Sequence, residues 1–280
     1  MRFHFIASLL YHLHHLTIPP MLPKLPVLDS WISTGTPAEF VAAILRLGAM
    51  RTSAYVCFAN VHMVVEAQQD AAFRQILHGA ALVAPDGSPV AAAVHQLNPG
   101  SAPQPRVAGM DVLPLLLEAA AASGQSVYFY GTTEEVLAAM VARARRELPT
   151  LRIAGTCSPP FRPLTPEEDA AEIAAINAAD PDLVFVALGC PRQERWMAAH
   201  QGAIRACMLG AGQAFPVYAG LERRLPVWAR KLWLEWAYRL WLEPRRLWRR
   251  YLVTNSRFVY LLARRVTAQL VGRPAPRAIG

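Results

Sequence analysis

Three short stretches place polar side chains directly after apolar runs. "AYVCFAN" ends on Asn60, and "ALVAPDG" ends on Asp86 and Gly87. A carboxylate in that position can cap the helix that follows, or it can face a cleft as a general base. Both readings stand for Asp86. The third stretch, "LGCPRQERWM" (188–197), follows the run "LVFVALG". Gly189 permits close backbone approach, and Pro191 opens a helix. Gln193, Glu194 and Arg195 then fall in its first turn, where Gln and Arg can donate hydrogen bonds to sugar hydroxyls or phosphates. "GTTEEV" puts Gly131 and Thr132 at a helix N-terminus, whose unpaired N–H groups suit an anion. The spacing is not GxGxxG, so a dinucleotide fingerprint is excluded. "LGAGQAFPVYAG" (209–220) supplies a further glycine turn with Gly212 and Phe215. Several such turns together point to a nucleotide or sugar-phosphate.

These residues need a scaffold that brings their turns to one place. Short β-branched or aromatic runs are expected as strands at 54–60, 81–85, 126–131, 151–156, 183–189 and 205–212. Helical segments alternate with them: 36–50, one long helix over 61–80, a helix from 86, then 111–122, 133–147, 166–179 and 191–201. This alternation is the signature of βαβ units. The expected fold is α/β: a Rossmann-like, mostly parallel sheet with helices on both faces, plus a C-terminal amphipathic helical appendage. In such sheets ligands bind beyond the carboxyl ends of the strands, which is where Asn60, Asp86, Gly131, Gly189 and Gly212 fall. The expected divisions are an irregular lead-in at 1–33, an α/β core at 34–220, an appendage at 221–266 and a tail at 267–280.

The same rule removes a tempting motif. "DPD" (180–182) mimics a metal-holding DxD, but it precedes its strand and so lies at the opposite edge; it reads as a turn. The histidines of "HLHH" (12–15) read as surface residues in a loose segment, and no metal site is expected. The four cysteines have no paired spacing and read as free thiols. The apolar N-terminal patch is broken by His and Pro, and reads as neither a signal peptide nor a membrane span.

Charge is distributed unevenly. The net charge is +8, yet residues 1–220 carry a net −3 and residues 221–266 a net +9. Five of the seven tryptophans share that basic stretch. Pro244 divides it. After Pro244, Arg245, Arg246, Arg249, Arg250 and Arg257 share one helical face, and Leu247, Trp248, Tyr251, Phe258 and Leu262 the other. Before it, Trp233, Trp236 and Trp241 share a face. Aromatic rings settle at membrane interfaces and arginines attract anionic lipid, so Trp233, Trp236, Trp241, Arg245, Arg246, Trp248, Arg249 and Arg250 are the expected membrane-binding residues. A basic aromatic arm also suits single-stranded nucleic acid. Against that, the aromatic and basic faces are separate here and the body is acidic, so no nucleic-acid partner is expected.

In their order, these motifs resemble the WecG/TagA/CpsF glycosyltransferase family of bacterial surface-polysaccharide synthesis, from about residue 36 to 262. The resemblance is carried by Asn60, "PDG" (Asp86, Gly87), "RVAGMDVLPLLL" (Arg106, Gly109, Asp111), "FYG", "ALGCPRQERWM", "GAGQAFPVYAG" and "RRLPVWARKLWLEWAYRLWLEPRRLWRRYL". It implies an inverting, metal-independent transferase without a cofactor. The donor would be a UDP-sugar, and the acceptor a sugar on undecaprenyl diphosphate at the cytoplasmic face of the plasma membrane. Asp86 would be the base, with Gln193 and Asn60 lining its pocket. Gly87, Arg106, Gly109, Gly131, Thr132, Gly189, Glu194, Gly212 and Phe215 would form the substrate site. Arg224, Arg230 and Arg239 would offset charge on the leaving UDP. A homo-oligomer is compatible with the pattern. The chain departs from the family at three positions: Phe58 replaces a frequent Thr, Pro216 an Asp, and Thr132 a second Gly. A membrane-associated UDP-sugar binder with impaired catalysis is therefore the alternative.

Overall fold

The computed structural model describes residues 21–222, residue 240 and residues 244–271. Where an irregular lead-in was expected, β1 (Lys24–Val27) and β2 (Ser30–Ser33) form an antiparallel hairpin pairing Lys24 with Ser33. Helix α1 (Pro37–Ala49) starts at a capping box: Thr36 Oγ1 accepts from Glu39 N at 3.3 Å, and the Glu39 carboxylate accepts from Thr36 N at 2.7 Å. Reciprocal bonds of this kind satisfy two otherwise orphaned donors.

After β3 (Ala54–Ala59), the long helix expected over 61–80 is two helices, α2 (Val61–Gln69) and α3 (Ala71–Gly79). Asp70 makes the break. Its backbone is extended, its N–H closes α2 on Glu66 O, and its Oδ1 accepts from Phe73 N at 3.0 Å to open α3. A short carboxylate competes for nearby backbone donors in this way, which the apolar periodicity does not report. Next come β4 (Leu82–Pro85), α4 (Ser88–Leu97), α5 (Gly109–Ser123), β5 (Ser126–Gly131), α6 (Glu134–Glu147) and β6 (Arg152–Cys157). They are followed by α7 (Pro166–Ala179), β7 (Leu183–Ala187), α8 (Arg192–Ala199), β8 (Cys207–Gly210) and α9 (Ala214–Ala219). The last element is α10 (Pro244–Leu270). Its first residue is Pro244, a position where the missing N–H costs nothing.

The six strands β3 to β8 lie in the order β4-β3-β8-β7-β5-β6, and every pair is parallel. All carboxyl ends therefore share one edge. Alternate residues feed two cores. Val56, Phe58, Phe129, Phe185 and Leu209 join α1, α5, α6 and α9, whereas Tyr55, Cys57, Tyr130, Val184 and Met208 join α2, α3, α4 and α8. The expected α/β fold with helices on both faces is what the chain adopts. The β4 edge is covered by the hairpin, with Val83 N donating to Ser33 Oγ at 3.0 Å. The "DPD" segment lies at the amino edge, as expected. Asp182 Oδ2 accepts from Ser126 N at 2.7 Å and from Ser126 Oγ at 2.9 Å, and Asp180 pairs with Arg51.

Helix α10 packs on the second core through Phe258, which is 3% exposed. Burial of such a side chain contributes about 1.5–3 kcal/mol. Gln269 Nε2 donates to Leu97 O at 3.0 Å, fastening the last turn to α4. No helix among the described residues is long and apolar enough to cross a membrane.

The backbones approach closely at the end of β5. Gly131 has φ +106°, and a Cβ there would come within 2.5 Å of the carbonyl oxygen of Ala187. Gly131→Ala combines a forbidden contact with a strained backbone. It is expected to cost about 3 kcal/mol or more, read as a lowered midpoint in urea unfolding.

Candidate active site

Of the six strand ends at the carboxyl edge, five are followed by the candidate side chains and bare turns. Asn60 follows β3 as the N-cap of α2, its Oδ1 accepting from Met63 N at 3.2 Å. Asp86 follows β4 and is held by a backbone bond from its N–H to Ala59 O at 2.9 Å. The N-cap position of α4 is taken by Gly87, at φ +116°, and Asp86 stands one residue before it. The two residues thus stand at the ends of paired neighbouring strands, with Ala59 opposite Pro85. Val107 N donates to Pro85 O at 3.0 Å, laying the segment with Arg106 alongside the end of β4. The Arg106 guanidinium is 3.9 Å from Asp111 in the first turn of α5. Gly109 opens α5 over the ring of Phe58, which a Cβ would meet at 3.5 Å. Phe58 is buried, its ring filling part of the first core.

Thr132 carries φ +59°, a left-handed conformation that favours glycine, and its N–H donates to Ala187 O at 3.0 Å. Gly189, with φ +78°, leads into α8. Two residues expected at the substrate site have protein partners in this region. Phe215 is fully buried, edge-on to Phe129 at 5.8 Å, and belongs to the core. Arg195 pairs with Asp70 at 2.7 Å, tying α8 to the α2–α3 break. At the other family departure, Pro216 lies in α9 and its carbonyl accepts from Leu221 N at 3.0 Å.

Gln193 and Glu194 are both buried, Glu194 completely. The Glu194 carboxylate is held by Gln193, whose Nε2 donates to Glu194 Oε1 at 2.8 Å. Gly210 and Gly212 make the space. A Cβ on Gly210 would meet Gln193 Nε2 at 3.0 Å, and one on Gly212 would meet Gln193 Oε1 at 2.7 Å. Gly210 and the thiol of Cys190, which also hydrogen-bonds Glu194, are site residues that the motif reading did not single out.

Burial pushes the Glu194 carboxyl up to about 7, opposed by the hydrogen bonds from Gln193 and Cys190. Its folded value lies above an ordinary glutamate, so ionisation works against the fold. The cost is absent at low pH, grows as pH rises from the ordinary glutamate value towards 7, and is constant above. It amounts to about 3 kcal/mol at pH 8. Glu194→Gln is expected to raise the melting temperature at pH 8 by roughly 6–12 °C. That gain should vanish towards pH 4 in a thermal-melt series.

No group of three or more metal-ligating side chains occurs among the described residues. Arg224, Arg230, Arg239, Trp233, Trp236, Trp241 and the His12–His15 stretch lie outside the described residues. So do the side chains of Arg245, Arg246, Trp248, Arg249 and Arg250, whose backbone forms the first turns of α10.

A parallel doubly wound sheet with a carboxylate, an amide and glycine turns along its carboxyl edge defines a Rossmann-like α/β protein. The sequence matches the Glycosyl transferase WecG/TagA/CpsF family over residues 25–271. The chain belongs to this family of glycosyltransferases. It is similar to a Bacillus spizizenii protein named N-acetylglucosaminyldiphosphoundecaprenol N-acetyl-beta-D-mannosaminyltransferase, at 34% identity over 71% of this chain and 75% of the relative. A Bacillus subtilis protein of the same name is 32% identical over 72% and 76%. A Staphylococcus aureus protein of that name is 28% identical over 75% and 80%.

Proposed function

We propose that this chain transfers a sugar from a UDP-sugar to a sugar carried on undecaprenyl diphosphate, with inversion and without a metal. The observation that carries the reading is the place of Asp86, at the end of β4 beside Asn60 and near the Arg106 segment. The activity for which the relatives are named supports the lipid-linked acceptor. In this mechanism Asp86 takes the proton of the acceptor hydroxyl as that oxygen attacks the anomeric carbon. The carbon–oxygen bond to UDP breaks on the opposite face, and the proton stays on Asp86 until it passes to water. Arg224, Arg230 and Arg239 neutralise the departing diphosphate, an electrostatic role that cationic clamps fill on transferring phosphates. The basic C-terminal stretch holds the enzyme peripherally on anionic lipid at the inner face of the plasma membrane, where the acceptor is anchored.

The test is a screen of UDP-sugars, including UDP-N-acetylmannosamine, with a short-chain polyprenyl-diphosphate N-acetylglucosamine acceptor, following acceptor-dependent release of UDP. Transfer from one donor, undiminished by EDTA, is the expected result. Failure with every donor would favour the impaired sugar-nucleotide binder, and loss of the rate in EDTA would overturn metal independence.

A further inference from the structure

Gln193 is surrounded in a way that determines what it can offer a ligand. Its Nε2 donates to Glu194 Oε1 at 2.8 Å and to the carbonyl oxygen of Gly210 at 3.1 Å. A side-chain amide has two N–H donors, and both are engaged. The reverse orientation would set the amide oxygen against the Gly210 carbonyl, an acceptor in every protonation state of Glu194, so the hydrogen-bond network assigns the amide uniquely. Oε1 remains. It is buried and makes no hydrogen bond among the described residues. The space around it is kept by glycine: a Cβ at Gly212 would sit 2.7 Å from Oε1, and would also lie 3.5 Å from Gly189 N. A buried acceptor left without a donor is costly in a folded protein and calls for an explanation.

We propose that Gln193 reads its ligand solely as a hydrogen-bond acceptor, through Oε1, and that Glu194 is the positioning residue that holds it in this polarity. The group it recognises is a sugar hydroxyl or an acetamido N–H. A phosphate oxygen would meet Oε1 acceptor to acceptor. This reverses the donor role expected for Gln193 from its place in the first turn of α8, and it rests on the transferase reading above. Glu194 acts by occupying one amide hydrogen, as Gly210 occupies the other.

The experiment has two arms. In the first, transfer is measured with UDP-N-acetylmannosamine and the short-chain acceptor, and with analogues each lacking one hydroxyl or acetamido N–H. Wild type is expected to lose about tenfold to a hundredfold in kcat/KM for one analogue above the others. Glu194→Met should raise KM for the parent substrate about tenfold and erase that discrimination, with kcat changed less than about threefold. Glu194→Gln, which keeps an oxygen for Nε2, should restore the discrimination. A Glu194→Met enzyme with the wild-type analogue profile, or one slowed equally on all analogues, would overturn the proposal. The second arm needs neither substrate nor mutant stability: hydrogen exchange of the Gln193 carboxamide in the wild-type protein, followed by NMR. Both protons should exchange at least about a hundredfold more slowly than those of an exposed glutamine. Exchange at the exposed rate would overturn the assignment. If transfer fails with every donor, slow exchange still supports the amide polarity, while the proposed activity falls.

Discussion

Asp86→Ala is expected to lower kcat by about 10²–10⁴, the usual contribution of a positioned general base. UDP affinity and the melting temperature should change little. The separation of these effects follows from where Asp86 stands. The N-cap of α4 is Gly87, so Asp86 does not hold the helix in the capping position. Its backbone N–H, bonded to Ala59 O, survives the substitution. The donor's diphosphate would be held elsewhere, by arginines and strand-end turns. Single-turnover measurements with saturating donor, alongside UDP titration, check the expectation. An Asp86→Ala enzyme with wild-type turnover would remove the base assignment. A variant that no longer binds UDP would place Asp86 in the donor site.

The second large effect concerns the membrane. Replacing Arg245, Arg246, Arg249 and Arg250 together with Gln should release the protein from anionic vesicles. Each arginine near such a surface contributes about 1 kcal/mol, so four amount to about 4 kcal/mol and roughly a thousandfold in partitioning at low salt. Co-sedimentation with phosphatidylglycerol vesicles reads this directly, and undiminished binding would exclude this stretch as the anchor. Substitution is a cleaner test than truncation after Leu221. Truncation also removes Phe258 from the second core and the bond from Gln269 to Leu97, so it changes folding and membrane attachment at once.

The sheet was legible because each strand is a short apolar run bounded by turn residues and separated from the next by a helix. That pattern is local. Strand order is not local, and the site depends on it. Gln193 follows β7 and Gly210 ends β8; they meet because β7 and β8 are neighbours. Nothing in "LGCPRQERWM" alone announces that its glutamate is fully buried. First-turn polar residues usually face solvent, and here a glycine-lined gap between two strand ends takes the side chain inward. Asp70 was missed for a different reason: apolar periodicity continues smoothly across it, while its side chain captures the Phe73 amide. The hairpin at 24–33 was hidden by short strands with prolines close by.

The seat of Phe258 links two equilibria that are usually measured apart. Because α10 shares the core of the catalytic body, a surface that binds the helix in its docked position must stabilise the whole fold by mass action. A surface that binds it only after peeling it away must destabilise the fold by the same thermodynamic necessity. The sign of the melting-temperature shift on adding anionic vesicles therefore reports which form of the helix the lipid selects, without any structure of the bound state.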